Sequence, residues 1–272
     1  HTQPIAYLGG VSIFLGWLAG VCVSVLLKPH NADQIILSSV QIPPGVLLGA
    51  ATVVLFGLLD DVYSLSPKVK LFGQFLSAAV LIVPGALGIG NDLFLSFKPN
   101  FHTGAAWMIL DPLSRMGVIS ASWGTSHATI ILATGFSACI AVFVIIAACN
   151  ATNLLDGLDG LCSGVTGIMA VGYLTLAVYL ASQMLNTSGA SPLDPTRLTL
   201  SLALLGAVLG FLPFNFNPAS IFMGDTGSMF LGYICGVMIL LFAQNGTIRW
   251  FLSAIIMFGL PMMDTFLAIV RR

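Results

Sequence analysis

Glutamate is missing from this 272-residue chain, and all ten of its acids are aspartate. Charged residues of every kind make up 7%, where an ordinary soluble domain has about a quarter. That shortage excludes a soluble globular fold, a disordered segment and a nucleic-acid-binding surface, each of which needs a dense polar or basic exterior. The net charge of −1 supplies no field of one sign. There is no CxxC pair. Cys22, Cys139, Cys149, Cys162 and Cys235 stand in or beside apolar runs, so they read as small apolar side chains, with no disulfide framework or metal site. Three of the four histidines (His30, His102, His127) fall away from the acid clusters and carry no assigned chemistry. No signal-peptide pattern is present. The chain starts at His1, not Met, so a fragment or processed form is expected.

What is present is a succession of apolar runs. Hydrophobic residues make up 57%, and the mean hydropathy is +1.01. Runs cover 11–27, 43–59, 71–89, 128–149, 162–182, 198–214, 227–243 and 250–269. At ~1.5 Å of rise per residue, roughly 17–22 residues span roughly 25–33 Å, enough for a bilayer's hydrocarbon core. Backbone N–H and C=O groups cannot stay bare in lipid, and no segment alternates in polarity like a barrel strand, so the runs predict helices. The expected architecture is all-α: one polytopic integral-membrane domain over 1–272 with about eight transmembrane helices. No internal repeat is visible.

Eight crossings sort the connections onto two faces. One face receives 1–10, 60–70, 150–161, 215–226 and 271–272; the other receives 28–42, 90–127, 183–197 and 244–249. The second set reads as polar connectors. Trp107 and Trp123 in the longest of them suit a membrane interface and a short surface helix. The first set concentrates Asp, Asn, Lys and Gly. Lys and Arg number four on that face and five on the other, so the basic count leaves orientation open.

Three clusters on the acidic face can carry chemistry. In Leu58-Leu59-Asp60-Asp61-Val62-Tyr63, two adjacent carboxylates end an apolar run, and a cation or a substrate proton relieves their repulsion. Lys70 opens the next run and is placed to meet a phosphate as a point charge. The plainer reading is a solvated turn in which the two acids face Lys68 and Lys70. In the second cluster Asn150, Asn153, Asp156 and Asp159 recur every third residue. Each such step drifts about 60° around an α-helix, so the helix must end or distort, and Gly157 and Gly160 permit that. An edge rich in carboxamide and carboxylate oxygen can hold a hard cation and a polar ligand; a capped helix end with a polar loop is the plainer reading. In the third, Phe222-Met223-Gly224-Asp225-Thr226-Gly227-Ser228, Asp225 reads as an N-cap. The helix N-terminus after it suits phosphate binding, with Asp225 as a metal ligand. Asp264, near Pro261 in the last run, is as readily structural as functional.

Carboxylates beside a lysine, with glycine-bracketed helix ends on one face, fit Mg²⁺-assisted phosphoryl transfer. The stretches Pro4-x-x-x-Leu8-Gly9-Gly10, Asp60 to Gln74, Asn150 to Leu161 and Phe222 to Gly232 resemble the polyprenyl-phosphate N-acetylhexosamine-1-phosphate transferases. That family includes the phospho-N-acetylmuramoyl-pentapeptide transferases. The short gap between Asp61 and Lys70 is similar to the UDP-N-acetylglucosamine branch. The resemblance implies a multi-pass protein of the bacterial inner (plasma) membrane with its active site facing the cytoplasm. There polyprenyl (undecaprenyl) phosphate would attack the sugar-linked phosphorus of a UDP-N-acetylhexosamine, giving a polyprenyl diphosphate sugar and UMP. It implies Mg²⁺, or Mn²⁺ in its place, and a homodimer. By the same resemblance Asp225 and Asn153 hold the metal with the diphosphate, and Lys70 contacts the diphosphate. Asp159 and Phe222 meet uracil, and Asp60 and Asp61 lie next to the lipid phosphate. Asn150 and Asp156 fall in the site without a role. The family has a helix before the Pro4 stretch, and a His-rich loop and last helix after the Arg271-Arg272 pair. This stretch alone is therefore expected to be weak or inactive. Ala6-Tyr7 stands where many relatives have Pro-Arg.

The competing readings are the muramoyl-pentapeptide branch, an ion-coupled transporter and a non-catalytic scaffold. Transporters place membrane acids near the midplane on paired repeats. Acids at helix ends on one face, without a repeat, speak against that.

Overall fold

The computed structural model describes residues 8–26, 42–86, 127–185, 194–243 and 248–271. The expected interfacial Trp107 and Trp123, the surface helix between 90 and 127, and Pro4 lie outside these residues. Among the described residues there are nine helices and no strand. They are α1 (Gly9–Leu26), α2 (Pro44–Tyr63), α3 (Pro67–Ala86), α4 (His127–Leu155), α5 (Leu161–Leu185), α6 (Asp194–Asn215), α7 (Gly224–Ala243), α8 (Ile248–Met257) and α9 (Gly259–Val270).

Each expected apolar run is met by a helix, the last by two. α8 and α9 join at a 62° bend, close to Pro261, which lacks the N–H that a continuous helix would use. Among the described residues, six helices are long and apolar enough to cross a membrane: α1, α2, α4 (over Gly135–Leu155), α5, α6 and α7. The bent pair would make a seventh. The chain is a polytopic helical membrane protein. The eighth expected span, 71–89, corresponds to α3, and its last residues lie outside the described set.

α7 is the axis of the bundle. Every side chain from Thr226 to Ala243 is buried, as suits a helix that is apolar all round. α1, α2, α4 and α8 pack against it, while α5 pairs with α6, and α3 lies on α2 and α4. Trp17 of α1 is fully buried and meets Phe230 of α7 edge-on at 5.5 Å. Phe143, Ile168 and Ile256 point outward and are exposed, as lipid-facing side chains should be.

Two local features build the site end of this bundle. Pro44 opens α2 with its φ preset for helix. Ser64 closes it at φ 50°, its N–H donating to the Asp60 carbonyl at 2.8 Å. The chain then enters α3 within three residues, which turns Lys70 back toward the end of α2. The second feature is the end of α4 at Leu155, where the three-residue spacing predicts a break. The chain turns through 156–160 into α5, with Gly160 at φ 75°.

Candidate active site

Asp60, in the last turn of α2, is 6% exposed. Its Oδ1 accepts the Leu65 N–H at 2.7 Å, and its Oδ2 pairs with Lys70 Nζ. The same Nζ lies 2.5 Å from Asp225 Oδ2 in the first turn of α7. The other oxygen of Asp225 accepts from Asn153 Nδ2 of α4 at 2.9 Å, and that Nδ2 also reaches Ser228 Oγ at 3.0 Å. Four helices thus bring Asp60, Lys70, Asn153 and Asp225 together. Lys70 bridges two acids that would repel one another in this partly buried setting. Lys68 is exposed.

Asp61 behaves differently from its neighbour. Its Oδ1 accepts the Asp225 N–H at 2.8 Å. Its Oδ2 accepts the Thr226 N–H at 3.1 Å and the Thr226 hydroxyl at 2.5 Å. Two sequence expectations are corrected here. Asp225 does not cap α7, because its carboxylate is turned to Lys70 and Asn153; Asp61 supplies the cap from α2. The first amides of α7 are also not open to a phosphate, because a carboxylate already holds them.

Asn150 sits one turn before Asn153 and forms a carboxamide pair with buried Gln74 of α3. Its Nδ2 donates to Gln74 Oε1 at 2.7 Å and to the Ile146 carbonyl at 2.8 Å. The contact joins α3 to α4 behind Lys70. Asp264 is exposed on α9 and takes no part in the cluster.

Beside the cluster opens a cleft of about 330 Å³, lined among others by Asp156, Asp159, Asn215, Phe222, Gly224 and Asp225. Its two walls are the 156–160 turn and the 216–223 loop. Asp159 Oδ2 accepts the Ala219 N–H at 3.1 Å. Asn215 fastens the walls together: its Oδ1 accepts from Gly160 N at 3.2 Å and Ser163 Oγ at 2.8 Å, and its Nδ2 donates to the Ile221 carbonyl at 3.1 Å. Burial, then the nearby charges of Asp225, Asp61 and Asp159, push the Asp156 carboxyl up from its ordinary 3.8 to about 7. Sequence pattern gives Asn215 no role, and it places Ser228 only beside Asp225 at the start of α7. A polar residue ending an apolar run, just after Pro213, was the available signal for Asn215.

Among the described residues, no group of three or more His, Cys, Asp or Glu is arranged to hold a metal ion. The oxygen donors suited to a hard cation are Asp225 and Asn153. Asn153 makes both of its bonds through Nδ2, which leaves Oδ1 for an ion. Mg²⁺ is usually held by one or two protein oxygens, with water and substrate phosphate completing its shell. The donor set fits that pattern.

Across its full length the chain is 34% identical, over 275 aligned residues, to a probable undecaprenyl-phosphate N-acetylglucosaminyl 1-phosphate transferase of Bacillus subtilis (strain 168). It is also 30% identical, over 285 aligned residues, to the decaprenyl-phosphate N-acetylglucosaminephosphotransferase of Mycobacterium tuberculosis. Over 83% of the chain it is 32% identical to a phospho-N-acetylmuramoyl-pentapeptide-transferase of Kocuria rhizophila. The chain spans 61% of the length of the first two relatives and 59% of the third. The profile of glycosyl transferase family 4 matches residues 43–243, which include every assigned site residue, and the chain belongs to that family.

Proposed function

We propose that, in the full-length protein, this chain transfers N-acetylglucosamine 1-phosphate from a UDP-sugar to polyprenyl phosphate at the cytoplasmic face of a bacterial inner membrane. The observation that carries the reading is the Asp60–Lys70–Asp225–Asn153 constellation at the edge of a polar cleft, on one face of a membrane bundle. Two relatives whose names specify N-acetylglucosamine phosphate transfer match the whole chain, whereas the muramoyl-pentapeptide relative matches 83% of it.

A lipid phosphate oxygen forms the new bond to the sugar-linked phosphorus, the diphosphate bridge breaks, and its electron pair leaves with UMP. At neutral pH a phosphate monoester, with its second pKa near ~6, is already largely a dianion. The acceptor therefore needs alignment more than deprotonation, and Asp60 positions or tunes it. Lys70 stands between Asp60 and Asp225, where it can pass from those carboxylates to the charge developing on the diphosphate. Asp225 and Asn153 would hold Mg²⁺, which supplies charge neutralisation between the two anions. Asp159 and Phe222 line the cleft, and in this reading they would meet the uracil.

The test is UMP release by the full-length protein in detergent, with each UDP-N-acetylhexosamine in turn. UDP-N-acetylglucosamine should support release that needs both polyprenyl phosphate and Mg²⁺. Release with the muramoyl-pentapeptide donor alone would move the chain to that branch. Silence with every donor would overturn the transferase reading.

A further inference from the structure

Resting on that reading, we infer that Asp61 does not partner the acceptor phosphate but positions Asp225, acting as a cap that α2 supplies to the first turn of α7. Successive residues on a helix point about 100° apart. Asp60 and Asp61 therefore leave the helix in different directions, and their partners differ: Asp60 reaches Lys70, and Asp61 reaches the backbone of α7. Its two oxygens collect three donors, the amides of Asp225 and Thr226 and the Thr226 hydroxyl. A carboxylate at this end of a helix also meets the positive pole of the helix dipole.

The surrounding backbone is built to let that carboxylate in. Gly224 has φ 69°, and a Cβ there would lie 2.7 Å from Asp61 Oδ2, so the carboxylate fills the space a side chain would need. On the other side, a Cβ on Gly10 of α1 would lie 2.2 Å from Gly227 N. The first two amides of α1 donate to the Phe222 and Met223 carbonyls at 3.1 and 2.9 Å. Residues 222–227 are thus gripped between α1 and α2, and the bonds from Asp61 fix the rotation of the turn that carries Asp225. Its carboxylate then lands between Lys70 and Asn153. The adjacent acids divide the work: one belongs to the reacting cluster, and the other sets the pose of the metal-binding acid.

Two variants of the full-length protein test this, Asp61→Asn and Thr226→Val. Hydrogen exchange read on peptides covering 222–228 needs no activity. Asp61→Asn should speed exchange at the Asp225 and Thr226 amides roughly tenfold, as expected for loss of one charge-assisted bond. The Mg²⁺ concentration for half-maximal transfer should rise roughly tenfold, while KM for polyprenyl phosphate stays within about twofold. Thr226→Val, which keeps the carboxylate, should move both readouts the same way by roughly threefold. Unchanged exchange at these amides would overturn the inference, as would a raised lipid KM with unchanged metal dependence. A wild-type protein inactive with every donor would sink the transferase reading instead, and the exchange result would still decide the cap.

Discussion

At its N-terminal end α7 meets Asp61, Lys70 and Asn153 and carries Asp225; at its C-terminal end it meets Arg197 of α6. Both ends pose the same problem, since a helix leaves unpaired amides at one end and unpaired carbonyls at the other. Arg197 is fully buried, donates to the Leu241 carbonyl at 2.7 Å and stands 5.4 Å over the Phe242 ring. A cation at that end complements the dipole, and the charge matches what a cap requires. The N-terminal end carries more. Asp61 caps the helix, yet Asp60, Asp156, Asp159 and Asp225 remain, with Lys70 facing two of them, beside an open cleft. Charge beyond structural need, in a setting where each ion is expensive, separates a functional end from a capped one.

The largest effect should come from Lys70→Ala, which leaves two acids unbridged. Transfer efficiency should fall on the order of 100-fold or more, mostly through weaker UDP-sugar binding. Steady-state kinetics with nucleotide-binding titration would check this, and unchanged affinity would remove Lys70 from the site. Gly10→Ala should come next. Its added methyl has no room against Gly227, so stability should drop by about 3 kcal/mol, or folding should fail, by thermal unfolding in detergent. Arg197→Met should cost about 1–3 kcal/mol of stability while leaving kcat/KM within about twofold. A large loss of rate without loss of stability would give the C-terminal end a function and break the comparison.

The smallest effect concerns Asp156, whose folded pKa of about 7 lies above its ordinary 3.8. The fold therefore prefers the protonated acid. Its contribution is complete below about pH 4 and is lost as pH rises through about 7. Asp156→Asn lacks that slope. It should be more stable than wild type at pH 8, by about 1 kcal/mol after solvent screening, with the gain fading toward pH 4. A gain that does not vary with pH would contradict the assignment.

Much of this was legible in the sequence. Apolar runs located the helices, and their parity put 60–70, 150–161 and 215–226 on one face, where the structure joins them. The three-residue spacing from Asn150 to Asp159 marked the end of α4. The division between Asp60 and Asp61 was not legible, because adjacent acids look alike until the position of α7 separates them. The same holds for the cap: Asp225 has the residue type and place of an N-cap, but only the fold shows another helix providing it. The Gly10–Gly227 approach and the Asn215 bonds join segments distant in the chain, and local pattern carries no trace of them. Pro261 announced a kink, while the 62° bend falls at the preceding helix boundary.

The most direct test sets the two ends of α7 side by side: UMP release from UDP-N-acetylglucosamine by the full-length wild type, Asp225→Asn and Arg197→Met in the same detergent. Wild type and Arg197→Met should release UMP only when polyprenyl phosphate and Mg²⁺ are both present, and Asp225→Asn should release none above background. Release by Asp225→Asn at the wild-type rate would contradict the account.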